Sequence, residues 1–196
     1  MKVLIACEES QTVCKAFRAK GHEAYSCDIQ PCSGGHPEWH IQGDAIKEAY
    51  SGKYDLMIAH PPCTYLSNAG AVHYFGKKAK NVEERKQKGF EAKDFFNKLL
   101  HAPINKICVE NPQPLKMFNL PTYTQIVQPY EYGHPFQKRT CLWLKNLPAL
   151  KPTKIVSERQ STKIPGNWFN KGGKERQKNR SKFWDGIAEA MANQWG

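Results

Sequence analysis

The stretch YDLMIAHPPCTYLSNAG, residues 54–70, decides how the chain is read. Its first part, YDLMIA (54–59), reads as a buried strand. Pro61 and Pro62 stop it, because proline lacks the N–H that a ladder needs and fixes φ. Cys63 follows at once. A thiol held just past such a stop lies at the rim of a sheet, where α/β proteins gather their functional groups. The placement suits a nucleophile, and it equally suits a small packed hydrophobe. The surrounding sequence decides between them.

Upstream, KVLIA (2–6) reads as a strand, followed by Ser10 as the expected N-cap of a helix that runs to about Ala19 and closes at Gly21. HEAYSCDI (22–29) reads as a second strand, and Gly43-Asp44 opens a short helix. Downstream, residues 82–100 place Phe90, Phe95 and Leu99 on one helical face. NKICVE (105–110) is another buried strand, and TQIVQPY and TCLWL (140–144) are expected as two more, antiparallel at the sheet edge. KFWDGIAEAMANQW (182–195) is an amphipathic helix, weakened near its start by Gly186. Strands alternating with helices imply an α/β fold: a mainly parallel twisted sheet covered by helices on both faces.

At 196 residues the chain suits a single domain, 1–196, with no internal repeat. No apolar run is long enough to span a membrane, and MKVLIACEES lacks the longer core of a signal peptide. Met1 is therefore expected to be the true start of a cytoplasmic domain. Seven cysteines scattered through apolar segments point to thiols rather than disulfides. The net charge of +11 argues for a polyanionic partner, nucleic acid first. Between Lys151 and Lys182 stand ten Lys/Arg against two acids, with Trp168 and Phe169 among them. That run reads as a solvated loop or as a phosphate-tracking arm with stacking rings.

Taken in order, the strand ends carry Cys7-Glu8-Glu9-Ser10, Asp28, His60-Pro61-Pro62-Cys63 and Glu110-Asn111-Pro112. In that order they supply a helix-N-terminus pocket, an acid, a thiol and a second acid where such folds keep their chemistry.

On these residues the chain resembles DNA cytosine C5-methyltransferases. Pro62-Cys63, with Ser67 four residues on, is similar to that family's nucleophile loop, and Glu110-Asn111 to its Glu-Asn motif. Gln137-Lys138-Arg139 resembles the start of its Gln-x-Arg-x-Arg motif, and GIAEAMANQW its closing helix. The resemblance implies a Rossmann-like class I fold with S-adenosylmethionine as methyl donor. Asp28 falls where the family has its ribose acid, next to Ile29, and Asp44 where it has an acid near the adenine. Ala6, Cys7, Glu8, Glu9, Ser10 and Pro61 complete the implied cofactor side.

The chemistry accounts for these residue types. Carbon 5 of cytosine is a poor nucleophile until a thiolate adds at carbon 6. Addition requires the charge at ring nitrogen 3 to be relieved by a carboxyl that carries or shares a proton. Cys63 is the implied nucleophile, Glu110 the group at nitrogen 3 and Arg139 an electrostatic stabiliser. Ser67, Asn111 and Gln137 are expected on the nucleic-acid side. Lys174, Arg176, Lys178 and Arg180 are expected to contact phosphates of DNA.

The chain also departs from the pattern. Ile5-Ala6-Cys7-Glu8-Glu9 stands where the family has Phe-x-Gly-x-Gly, so Glu8 or Glu9 is a candidate for meeting the cofactor's amino group. Cys141 replaces the second arginine. The basic segment 145–181 stands in place of a target-recognition domain, which is similar to small phage methyltransferases.

HPPC also resembles the Asp/Asn-Pro-Pro-aromatic loop of amino-group DNA methyltransferases, with Tyr65 as a possible stacking ring. A catalytically decayed DNA-binding module is the non-enzymatic alternative. Cys27, Cys32, His36 and His40 have zinc-ligand types but match no standard finger, so no metal is expected.

Overall fold

The computed structural model describes residues 1–76, 79–161 and 183–196. Lys174, Arg176, Lys178 and Arg180 lie outside the described residues. In chain order the elements begin β1 (Lys2–Ala6), α1 (Thr12–Ala19), β2 (Glu23–Asp28), β3 (His40–Gln42), α2 (Ala45–Ala49) and β4 (Leu56–Ala59). They continue α3 (Val82–Leu100), β5 (Lys106–Pro112), β6 (Gln125–Val127), β7 (Phe136–Gln137), β8 (Thr140–Lys145), β9 (Gln160–Ser161) and α4 (Asp185–Trp195).

Seven strands form one sheet in the order β3-β2-β1-β4-β5-β8-β6, while β7 pairs with β9 apart from it. Strands β1 to β5 are parallel, β8 is antiparallel to β5, and β6 is antiparallel to β8. The mainly parallel, Rossmann-like α/β sheet expected from the sequence is thus present. From central β1 the chain winds outward to β2 and β3, then returns to β4 on the other side. That reversal opens a crevice outside the carboxyl ends of β1 and β4.

Alternation along β1 builds two cores. Val3 and Ile5 pack with Phe17 of α1 and with Ile187, Met191 and Trp195 of α4. Leu4 and Ala6 pack on the other face with Phe96 and Leu99 of α3. There Phe96 meets Trp143 edge-on at 4.9 Å, worth about 0.5–1.5 kcal/mol beyond burial. No helix among the described residues is long and apolar enough to cross a membrane.

Several local expectations are corrected. The N-cap of α1 is Gln11, at φ 59°, and not Ser10. Glu8 supplies the capping oxygens instead, accepting from Val13 N at 2.7 Å and Cys14 N at 3.2 Å. In α3, Phe90 is 45% exposed, and the inward face runs through Gly89, Phe96 and Leu99. The face is shifted because Gly89 lies flat against the Phe118 ring, which a Cβ there would overlap. Strand β3, a three-residue edge, was not expected. Gly186 marks a close approach rather than a weak point, as a Cβ on it would overlap the Tyr132 carbonyl oxygen.

The first part of the 145–181 segment is tied to the domain. Leu150 N donates to Gln125 Oε1 at 2.8 Å, and Gln125 Nε2 donates back to Leu150 O at 2.7 Å. Lys151 exchanges the same pair of bonds with Gln194 of α4 at 2.8 and 2.9 Å.

Candidate active site

Pro61 and Pro62 end β4, whose last rung is the bond from His60 N to Ala6 O at 2.9 Å. Asn111, 1% exposed at the end of β5, donates from Nδ2 to Pro61 O at 2.9 Å. Cys63 heads the following turn and is half-buried; its carbonyl accepts from Leu66 N at 3.2 Å and Ser67 N at 3.0 Å. Ser67 is 5% exposed and its hydroxyl accepts from Ala69 N at 3.1 Å. Arg85 of α3 donates to Thr64 O at 3.0 Å and lies over the Tyr65 and Tyr74 rings at 5.0 and 4.9 Å. The loop bearing the thiol is therefore held from β5 and from α3 through backbone carbonyls. Ser67 and Asn111, expected to face nucleic acid, are buried and bonded to that backbone.

Glu110 sits one residue before Asn111, with 14% of its side chain exposed, and its Oε2 lies 3.2 Å from His60 Nδ1. Across the sheet, β8 brings Asn111 opposite Cys141 and Glu110 opposite Leu142. Arg139 and Gln137 are exposed on the approach to β8. The Cys141 thiol is pushed up to about 11 by burial, with Arg139 pulling it down and Glu110 pushing it up. Both charged groups thus reach the same end of the β5–β8 pair. A fully buried thiol stands where the resembled motif has its second arginine.

On the other side of the crevice, Cys7 takes φ 61° and its N–H donates to Cys27 O at 2.7 Å. Left-handed backbone costs an L-residue about 1–2 kcal/mol. Cys7 therefore makes a glycine-like turn without a glycine, with Gln11 adopting the same region four residues on. Gln11 is fully buried, accepting from His36 N at 3.1 Å and donating to His36 O at 2.8 Å. Burial and then Asp28 push the Cys7 thiol up, with Cys27 and Asp44 adding to the effect, so both acids bear on this turn. Asp28 accepts from Gln30 N at 2.9 Å, and Asp44 caps α2 by accepting from Ile46 N at 2.8 Å. Ile29 beside them is 77% exposed. Ala6 and Pro61 are buried, and Ser10 Oγ lies 3.5 Å from Thr12 Oγ1.

Both glutamates of this turn bond within the chain. Glu9 accepts from the Ser33 hydroxyl, and Glu8 is 4% exposed at the start of α1. Burial raises the Glu8 carboxyl above the usual carboxylate range, against the pull of His60 and of the two amides. A raised folded-state pKa means that the folded protein holds the proton more tightly than the unfolded chain does. Stability therefore falls as pH rises from about 4.3, the ordinary glutamate value, through the raised one. Glu8→Gln should remove that decline, while losing about 1 kcal/mol because its amide nitrogen cannot accept from Cys14 N. Urea midpoints across this pH range check it: the difference between the two profiles isolates Glu8, and parallel profiles would refute the assignment.

The four zinc-type side chains have separate partners. Cys27 is buried in β2 and Cys32 donates to Gln11 Oε1 at 3.0 Å. His36 stacks on Trp39 at 3.7 Å, and His40 lies 2.8 Å from Ser26 Oγ.

The sequence reading missed the roles of Gln11, His60 and Arg85. His60 was visible as the residue at the strand end, but nothing local signals its partner fifty positions away.

No family model matches the chain, and no curated protein does. Among solved structures it is similar to the Dnmt2 methyltransferase of S. pombe, at 15% identity over 76% of this chain and 51% of that one, with a TM-score of 0.47. It is also similar to the Entamoeba histolytica methyltransferase EhMeth, at 14% identity over 80% of this chain and 57% of that one, with a TM-score of 0.48. The chain spans a little over half the length of these structures.

Proposed function

We propose that the protein transfers a methyl group from S-adenosylmethionine to carbon 5 of cytosine in DNA through a covalent adduct on Cys63. The observation that carries this reading is the bond from Asn111 to Pro61 O. It locks the Pro-Cys loop to the Glu-Asn strand end at the crevice of a class I fold.

The residues at the crevice fit the donor. An acid ends β2, an exposed Ile29 offers an apolar side chain beside it, and a second acid caps α2. Asp28 would hold the ribose hydroxyls, with Ile29 and Asp44 at the adenine; Glu8, bonded to α1, is not part of the set. When bound, S-adenosylmethionine supplies an electrophilic methyl.

The rest falls to this chain. The Cys63 thiolate adds to carbon 6, the ring double bonds shift, and nitrogen 3 takes a proton from the Glu110 carboxyl. Once carbon 5 carries the methyl, solvent water takes its hydrogen as a proton, the C–H electron pair restores the 5,6 double bond, and Cys63 leaves carbon 6 as a thiolate. Nitrogen 3 then returns its proton to Glu110. Arg139 lends positive charge at the mouth. In duplex DNA the base must leave the stack, at about a few kcal/mol. The net charge of +11 and the basic run after Lys151 favour a polyanion.

Intact-mass analysis after mixing the protein with S-adenosylmethionine and a duplex carrying 5-fluorocytosine tests the reading. Fluorine cannot leave as hydrogen does, so the adduct persists, and a DNA-sized shift mapping to Cys63 is expected. Absence of an adduct on duplexes and single strands of varied sequence would overturn it. The amino-group alternative has less to stand on, since Tyr65, its stacking ring, carries the Arg85 guanidinium. The decayed-module alternative predicts no heat on titration with S-adenosylhomocysteine.

A further inference from the structure

We infer that His60 is a positioning residue for Glu110, holding one carboxyl oxygen through Nδ1–H so that the other is presented to the base; this rests on the proposed C5 chemistry. Two consecutive residues just past β4 meet two consecutive residues near the end of β5. His60 faces Glu110 at 3.2 Å, and Pro61 O accepts from Asn111 at 2.9 Å. The parallel register that pairs Ala59 with Val109 is thus continued, beyond the ladder, by side chains. This double clasp fixes Glu110 relative to Cys63, three residues past His60.

The ring itself is fixed on several sides. Its backbone N–H is bonded to Ala6 O, the Phe183 ring lies 4.6 Å away at 54°, and 13% of the side chain is exposed. Two carboxyls face it: Glu110 from β5, and Glu8 from the turn after β1. Nε2 is buried and has no hydrogen-bond partner among the described residues. Leaving a polar atom in that state costs about 1–3 kcal/mol, so packing alone does not favour histidine here. The hydrogen bond at the opposite nitrogen supplies the reason for it.

His60→Leu removes the donor, and His60→Asn keeps an N–H near the place of Nδ1 without an imidazole. With S-adenosylmethionine and the 5-fluorocytosine duplex, His60→Leu is expected to slow maximal adduct formation about 100-fold, the scale of a misplaced catalytic group. Half-saturation by duplex and the affinity for S-adenosylhomocysteine should stay within about threefold of wild type. His60→Asn should recover to within about tenfold of the wild-type rate. Leu at the wild-type rate, or Asn as slow as Leu with both proteins equally destabilised, would overturn the inference. Failure of the wild-type protein itself to form an adduct would instead overturn the C5 reading beneath it.

Discussion

Replacing Cys63 by alanine is expected to lower methyl transfer by about 10⁴-fold or more, while S-adenosylhomocysteine titrates as before. Without addition at carbon 6 the ring has no enamine form, and positioning alone cannot supply the missing nucleophilicity. The variant tests chemistry rather than folding because the loop keeps its supports through backbone carbonyls. Leu66 and Ser67 bond to Cys63 O, Asn111 to Pro61 O and Arg85 to Thr64 O. Cys14→Ala is a fitting control: its thiol lies on the buried face of α1 and donates to Ala24 O at 3.4 Å. It should cost stability and leave the rate constant for methyl transfer near wild type. Single-turnover transfer with radiolabelled S-adenosylmethionine measures both. Retained transfer in Cys63→Ala would end the covalent mechanism and bring the amino-group alternative forward.

Gly186→Ala should destabilise the fold by about 3 kcal/mol, the upper end for forcing extra volume into a packed site. In a domain of this size that lowers the Tm by about 6–12 °C. The neighbour is rigid, since the added carbon would overlap the Tyr132 carbonyl oxygen, and a backbone atom cannot rotate away. Gly186 N also donates to His134 Nε2 at 3.0 Å, on an imidazole that burial pushes toward the neutral form able to accept. A shift of α4 would break this bond and lift Ile187, Met191 and Trp195 from the sheet. Gly43→Ala, with nothing near the added carbon, should leave stability unchanged or raise it by about 0.4–1 kcal/mol. Thermal melts of the two variants decide it; equal melting temperatures would mean that α4 yields without cost.

The elements that could be read from sequence are those whose signal is local. KVLIA is a strand because four of its residues are fully buried from both faces, and TCLWL because it lies between β5 and β6. The double proline marked where β4 stops. Where the signal was not local, the reading failed. The cap of α1 comes from Glu8, reaching forward past the turn that Cys7 makes in left-handed backbone, so Ser10 looked the better candidate. Gly89 sets the buried face of α3 through Phe118, a residue outside the helix, and periodicity alone chose Phe90. Strand β3 has three residues and no apolar run, so nothing announced it. At the candidate site the residue types were legible, but their pairing was not. His60 meets Glu110 only because the sheet order puts β5 beside β4.

That order also imposes a sequence of events on a chain leaving the ribosome. Strand β1 is made first, yet it occupies the middle of the sheet; one edge is covered when residues 23–28 emerge, the other only with 56–59. The groove over Val13 and Phe17 waits longer still, for α4 at 185–195. Early intermediates therefore carry an unpaired strand edge and an uncovered apolar face, the two features that invite association between nascent chains. Parallel pairing over such separations is slow. Yield in the cell should consequently depend on chaperone capacity during synthesis more than on the stability of the finished sheet.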